Sequence, residues 1–232
     1  MLSKKHELIR KLAKEFAENE LAPFAAQVDE TGEYPKELVE KVIRAGFHAI
    51  TIPKEYGGCG GDTLSSTIVT EEFTKVDASS SSLLMPNSLS GGALMMFGNE
   101  DQKQKYLRAM AEGTKVGAFA VTEPGAGSDT SAISTTAEKD GDTYILNGRK
   151  CFITQGPNCD FVTVFAKTDL NAKGVKGISA FIVESGWEGF SVGAIEKKMG
   201  MHGSPTCDLI FENVRVPKEN LLGGEGQGFQ IC

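Results

Sequence analysis

The chain has 232 residues, 40% of them hydrophobic, and a formal charge of −7. That length holds one large or two small domains with a sizeable core. The acidic balance argues against a nucleic-acid binder, which would carry a basic patch, and no apolar run nears the roughly twenty residues that span a bilayer.

From Met1 to about residue 113 the pattern is helical. The start leads into an amphipathic stretch rather than a signal-peptide core. Leu8, Leu12 and Phe16, with Ile9 and Ala13, form an apolar stripe at helical spacing. Pro35 suits a first helical turn and precedes Leu38, Val39, Val42 and Ile43, with Gly46 marking the end. Gly57 to Gly61 read as a flexible loop that lacks the Gly-Lys-Ser/Thr of a phosphate loop. Asp62 or Thr63 then caps a helix carrying Leu64, Ile68 and Phe73. Ser79 to Ser82 interrupt it, Leu89, Leu94 and Phe97 mark another helix, and 100–112 read as a charged surface helix ending at Gly113.

Near residue 115 the period becomes two. Strands are expected over 116–122, 134–138, 143–146, 151–154, 161–167, 178–183 and 209–216. Asp140-Gly141-Asp142 and Asn147-Gly148 read as hairpin turns. Short strands joined by turns indicate an antiparallel sandwich or small barrel, so the fold class is α+β. The five cysteines (Cys59, Cys151, Cys159, Cys207, Cys232) form no C-x-x-C pair, and their odd number suits reduced thiols in a cytoplasmic protein. His6, His48 and His202 show no metal-ligand spacing.

Two patches point to a ligand. The first runs Val121-Thr122-Glu123-Pro124-Gly125-Ala126-Gly127-Ser128-Asp129, a strand entering a glycine-opened turn. By itself it fits a plain strand exit. Glycines at 125 and 127 would also take angles closed to other residues and admit a ligand to the main chain, and N–H groups with the Ser128 hydroxyl suit a pyrophosphate. The second is Asn147-Gly148-Arg149-Lys150-Cys151-Phe152-Ile153-Thr154-Gln155-Gly156. Strand alternation puts Phe152 and Thr154 on one face and Ile153 on the other. An aromatic ring beside a hydroxyl would support a flat heteroaromatic ring and hydrogen-bond its edge.

Together with Lys176-Gly177-Ile178-Ser179-Ala180-Phe181-Ile182-Val183-Glu184, the stretch from Thr206 to Pro217, and Glu225-Gly226-Gln227-Gly228-Phe229, these patches resemble the acyl-CoA dehydrogenase family of flavoproteins. The likeness covers nearly the whole chain and is nearest to short-chain, butyryl-type bacterial members. It implies a helical domain over 1–114, a flavin-binding β middle domain over 115–217, and over 218–232 the beginning of a third, helical domain that is absent. It also implies FAD, an acyl-CoA substrate, an electron-transferring flavoprotein as partner, and a cytoplasmic homotetramer in the parent enzyme. Such enzymes convert an acyl-CoA to its trans-2-enoyl-CoA: a carboxylate takes the α proton and the flavin takes the β hydride.

By the family's motif, Phe119, Val121 and Thr122 would line the flavin ring. Gly127 and Ser128 would meet the pyrophosphate, with Ser128 also near the CoA. Phe152, where many members carry tryptophan, would pack on the ring, and Thr154 would bond near its N5. Ser82, Met85 and Leu89 would border the acyl chain. The family's proton-abstracting glutamate falls beyond Cys232. Glu123 reads as structural and Glu225 as solvated, so no catalytic residue is assigned and the chain is expected to be inactive alone. His202 occupies a loop position where many relatives carry arginine. A non-catalytic assembly module, or a piece of an acyl-CoA oxidase, are the alternatives.

Overall fold

The computed structural model describes residues 2–232, except for the side chains of 85–87. A helical layer comes first: α1 (Lys4–Phe16), α2 (Ala25–Thr31), α3 (Lys36–Arg44), α4 (Thr63–Thr74) and α5 (Met85–Phe97). The short helices α6 (Glu100–Gln102) and α7 (Arg108–Ala111) flank a π-helical turn, Lys103–Leu107. The start signals act as expected: Pro35 sits just before α3, and Asp62 caps α4 by accepting from the Ser65 amide at 2.8 Å. The apolar stripe of α1 is rotated from its expected position. Ala13 is fully buried and Phe16 packs on Phe47 and Phe73, whereas Leu8 and Leu12 are 57% and 50% exposed. Ser79 to Ser82 form part of a 3-10 turn, Ala78–Leu83, and all four are buried. The 100–112 segment is less superficial than its charge suggests, because Tyr106, Leu107 and Met110 are buried against the sheet.

Eight strands follow among the described residues: β1 (Gly117–Ala120), β2 (Thr136–Asp140), β3 (Thr143–Thr154), β4 (Phe161–Lys167), β5 (Ile178–Glu184), β6 (Phe190–Ile195), β7 (Thr206–Pro217) and β8 (Leu221–Leu222). A four-residue helix, α8 (Gly228–Ile231), comes last. The sheet runs β6-β7-β3-β2-β4-β5-β8, with β1 on β4. Most pairings are antiparallel, but β1 and β2 run parallel to β4, so the sheet is mixed. The β2–β4 link is a single pair, Thr136 with Lys167, and it joins two halves. Leu146, Val164, Phe181, Leu209 and Val216 from both halves fill one core. Phe161, Phe165 and Ile182 point the other way, onto Leu94, Tyr106 and Met110 of the helical layer. With both faces covered, β4 is a near-continuous apolar run, Phe-Val-Thr-Val-Phe-Ala.

Asp140-Gly141-Asp142 forms the expected turn, with Gly141 at φ 61°. Asn147-Gly148 does not. It lies inside the continuous strand β3, at a register shift against β7. The glycine serves proximity there, since a Cβ on Gly148 would stand 2.4 Å from the Thr135 hydroxyl.

A capping box joins the two layers. The Asn99 side chain accepts from the Gln102 amide at 2.8 Å, and Gln102 Oε1 accepts from the Asn99 amide at 3.1 Å. Gln102 Nε2 then donates to the carbonyls of Glu219 and Leu221. Asn99→Ala is expected to cost about 1 kcal/mol of folding stability, read from urea unfolding. An unchanged midpoint would show that the cap is idle.

Candidate functional site

The two motif patches meet. As β1 ends, the chain passes beside the second half of β3. The Cys151 amide donates to the Thr122 carbonyl at 2.9 Å, and the Lys150 ammonium donates to the Val121 carbonyl at 2.9 Å. Both carbonyls are therefore engaged within the protein.

Beneath this junction lies a buried ion pair. Lys150 is fully buried, with its Nζ 2.8 Å from Glu123 Oε1. Glu123 also accepts from the Ser134 amide and hydroxyl, both at 2.6 Å, and from the Thr135 amide at 3.1 Å. Burial would raise this carboxyl, but the hydrogen bonds from Lys150, Ser134 and Thr135 outweigh it and hold it at about 2. One carboxylate thus ties the exit of β1 to the start of β2 and the middle of β3. Glu123 is a strut, as its place beside Pro124 suggested, and it is in no position to act as a base.

The turn that follows is closed by reciprocal bonds between Glu123 and Ala126, each 3.0 Å. Gly125 and Gly127 do not take left-handed angles, contrary to expectation. A Cβ at either would meet nothing within 4 Å, so their use is open access to the backbone. Ser128 is exposed beside them.

Phe152 and Thr154 are exposed and Ile153 is buried, which is the expected alternation. The strand is not regular, however. Its register passes from Lys150–Leu209 to Ile153–Cys207, three steps on β3 against two on β7. This bulge turns Phe152 to φ 59° and leaves its ring 62% exposed. Gln155 is also left-handed, at φ 58°, so Thr154 sits between two constrained residues. An exposed aromatic residue held in that region is strained without much burial to offset it. Nearby, Arg149 reaches Asp208 Oδ2 with Nε at 3.1 Å and Nη2 at 2.5 Å, a contact that sequence reasoning missed.

The other candidates are more dispersed. Phe119 is half-buried, its ring edge-on to Phe165 at 5.0 Å, facing the helical layer with Val121. Ser82 is buried where the layers join. Its hydroxyl donates to the Gly203 carbonyl at 3.2 Å, so it is engaged within the protein. Leu89 is 50% exposed on α5, and the Met85 side chain lies outside the described residues. Glu225 is partly solvated but tethered: it accepts from the Tyr144 hydroxyl and from Lys139 at 3.2 Å. Those contacts, Tyr144 foremost, lower its pKa.

Cavities of about 630 and 650 Å³ are not lined by Phe152 or Thr154, although the first is lined by Ser82 and by Gln155, the neighbour of Thr154. The face made by these two residues is open. A flat ring lying there would be supported on one side by this chain and need cover from another element on the other.

The comparisons with known proteins agree across the chain. The family model "Acyl-CoA dehydrogenase, N-terminal domain" matches residues 3–114, and "Acyl-CoA dehydrogenase, middle domain" matches 118–214. A 3-(aryl)acrylate reductase of Clostridium sporogenes is 52% identical over 98% of this chain. The CarC subunit of the caffeyl-CoA reductase–Etf complex of Acetobacterium woodii is 51% identical over 98%. The solved structure of butyryl-CoA dehydrogenase from Megasphaera elsdenii superposes with a TM-score of 0.93 at 45% identity, covering 100% of this chain and 61% of that one. The chain spans about 60% of the length of the two curated relatives.

Proposed function

This chain belongs to the acyl-CoA dehydrogenase family, and on that premise we propose that it supplies the flavin-bearing face and one wall of the acyl pocket in an enzyme interconverting acyl-CoA and trans-2-enoyl-CoA thioesters. The observation that carries the reading is the bond from the Cys151 amide to the Thr122 carbonyl, which sets the glycine turn and the Phe152–Thr154 face side by side. FAD bound there would supply hydride-accepting chemistry. Phe152 would support its ring, Thr154 would donate to the ring edge, and Phe119, Val121 and Thr122 would border it. Gly127 and Ser128 would receive the pyrophosphate, Ser128 within reach of the CoA. The residues suit this ligand: the turn is open to its backbone, and the aromatic ring is presented to solvent with a hydroxyl two positions on.

On this reading the acyl chain runs along α5, past Leu89 and Met85 toward Ser82. The α-proton base lies outside these residues, because Glu123 is committed to Lys150 and Glu225 to Tyr144. The whole protein would be a cytoplasmic homotetramer that exchanges electrons with an electron-transferring flavoprotein. The names of the two reductase relatives favour a second reading of direction, in which the same site reduces an enoyl-CoA. The bonds exchanged are identical, so the partner's potential would decide.

Purified at its natural length, the protein is expected to hold FAD stoichiometrically and to bleach on anaerobic addition of butyryl-CoA. The 232-residue chain alone is expected to bind FAD weakly and to turn over nothing. A natural-length protein that takes up no flavin, or whose flavin ignores every acyl- and enoyl-CoA offered, would overturn the proposal.

A further inference from the structure

We propose that His202 is a proton-operated latch that fastens the segment between β6 and β7 to α2, closed on both arms only while the imidazole carries two protons. Its Nδ1 lies 2.7 Å from the Asp29 carbonyl, and its Nε2 lies 3.0 Å from the Lys198 carbonyl. A carbonyl oxygen can only accept, and a neutral imidazole has one N–H. A neutral ring therefore serves one carbonyl and turns a lone pair on the other. The imidazolium donates to both.

The neighbouring Asp29 carboxylate favours that form. From α2, Asp29 Oδ1 stands 3.0 Å from Nδ1. Glu33, Tyr34, His48, Lys115, Glu196 and Lys198 line the adjoining 630 Å³ cavity with His202. Of these, the Tyr34 hydroxyl is given to Asp77, and the Lys198 ammonium donates to the Ser204 carbonyl. The backbone carbonyl of Asp29, then that of Lys198, raise the His202 pKa above its ordinary 6.5.

The latch has leverage because its segment touches the candidate site. The Gly203 carbonyl receives the Ser82 hydroxyl at 3.2 Å, and the Pro205 carbonyl receives the Gln155 amide at 2.8 Å, one residue past Thr154. Gly203 is itself wedged in the helical layer, where a Cβ would stand 2.3 Å from Val28. Because the folded pKa is raised, the stabilisation is complete below the unfolded value near 6.5 and is lost as pH rises through the folded value. Opening the latch frees the segment that positions Ser82 and Gln155.

Hydrogen–deuterium exchange of the 198–205 peptide in the natural-length protein tests this, from about pH 5.5 to 8.5. After correction for intrinsic rates, exchange in the wild type is expected to rise by up to about tenfold per pH unit above the His202 pKa, since one proton is linked to opening. His202→Arg keeps its charge at every pH in that range and should hold exchange flat. Flat exchange in the wild type, or an equal rise in His202→Arg, would overturn the latch. So would a His202 pKa at or below 6.5, measured in the wild type by deuteration of the imidazole C2 position, a readout that does not depend on any variant folding.

Discussion

Lys150→Met is expected to lower folding stability by about 3–5 kcal/mol, the range seen when one partner of a buried ion pair is removed. The lysine is fully buried and its partner carboxylate is 2% exposed, so no water replaces the lost donor. Three donors from Ser134 and Thr135 remain on Glu123, which places the loss toward the lower end of that range. The Val121 carbonyl is orphaned as well. The double variant Glu123→Gln/Lys150→Met should recover part of the loss, because a neutral amide has no charge to strand. Urea unfolding of the two single variants and the double gives the coupling; a Lys150→Met cost under about 1 kcal/mol would show that the pair is not the strut described here. The same carboxylate sets an acid limb. Its folded pKa, about 2, lies below the ordinary 4.5, so its contribution is present above pH 4.5 and disappears as pH falls toward 2. Glu123→Gln should flatten that limb.

The strut also shows what the sequence conceals. Short β-rich runs located β4 to the residue and most of β3, β5 and β7, since strands covered on both faces, as β4 and β5 are, write their burial directly into composition. β6 escaped: as an edge strand that is mostly exposed, Phe-Ser-Val-Gly-Ala-Ile, it carries little alternation. Asn147-Gly148 misled because a turn-forming pair is also what a strand uses where another segment, here Thr135, comes too close for a side chain. Lys150 lies between Arg149 and Cys151 and looks like an ordinary charged strand position. Its burial depends on Glu123, 27 residues earlier, and on a bulge that depends on β7. Pairing over that distance is fixed by tertiary packing. The candidate ligand face was legible because Phe152 and Thr154 are two residues apart in one strand. The engagement of Ser82 with Gly203 was not, as it joins residues 121 positions apart.

Phe152→Gly and Phe152→Ala should separate support of a ligand from support of the fold. Phe152 stands at φ 59°, where a side chain with a Cβ costs roughly 1–2 kcal/mol relative to glycine. The 62% exposed ring returns little of that through burial. Phe152→Gly is therefore expected to leave unfolding stability unchanged or to raise it by up to about 1 kcal/mol, once the greater freedom of glycine in the unfolded chain is subtracted. If the ring bears the flavin, both variants lose one stacking partner, worth about 1–3 kcal/mol or roughly 5- to 150-fold in FAD affinity. Phe152→Ala retains the strain and loses affinity, so it should be the less stable of the two while binding FAD equally poorly. Fluorescence titration with FAD alongside chemical unfolding of the natural-length protein reads both quantities. Loss of stability in Phe152→Gly with unaltered FAD affinity would make Phe152 a packing residue. The opposite signs expected here identify strain retained for a ligand, because an exposed aromatic side chain in a left-handed conformation gains too little from the fold to hold it there.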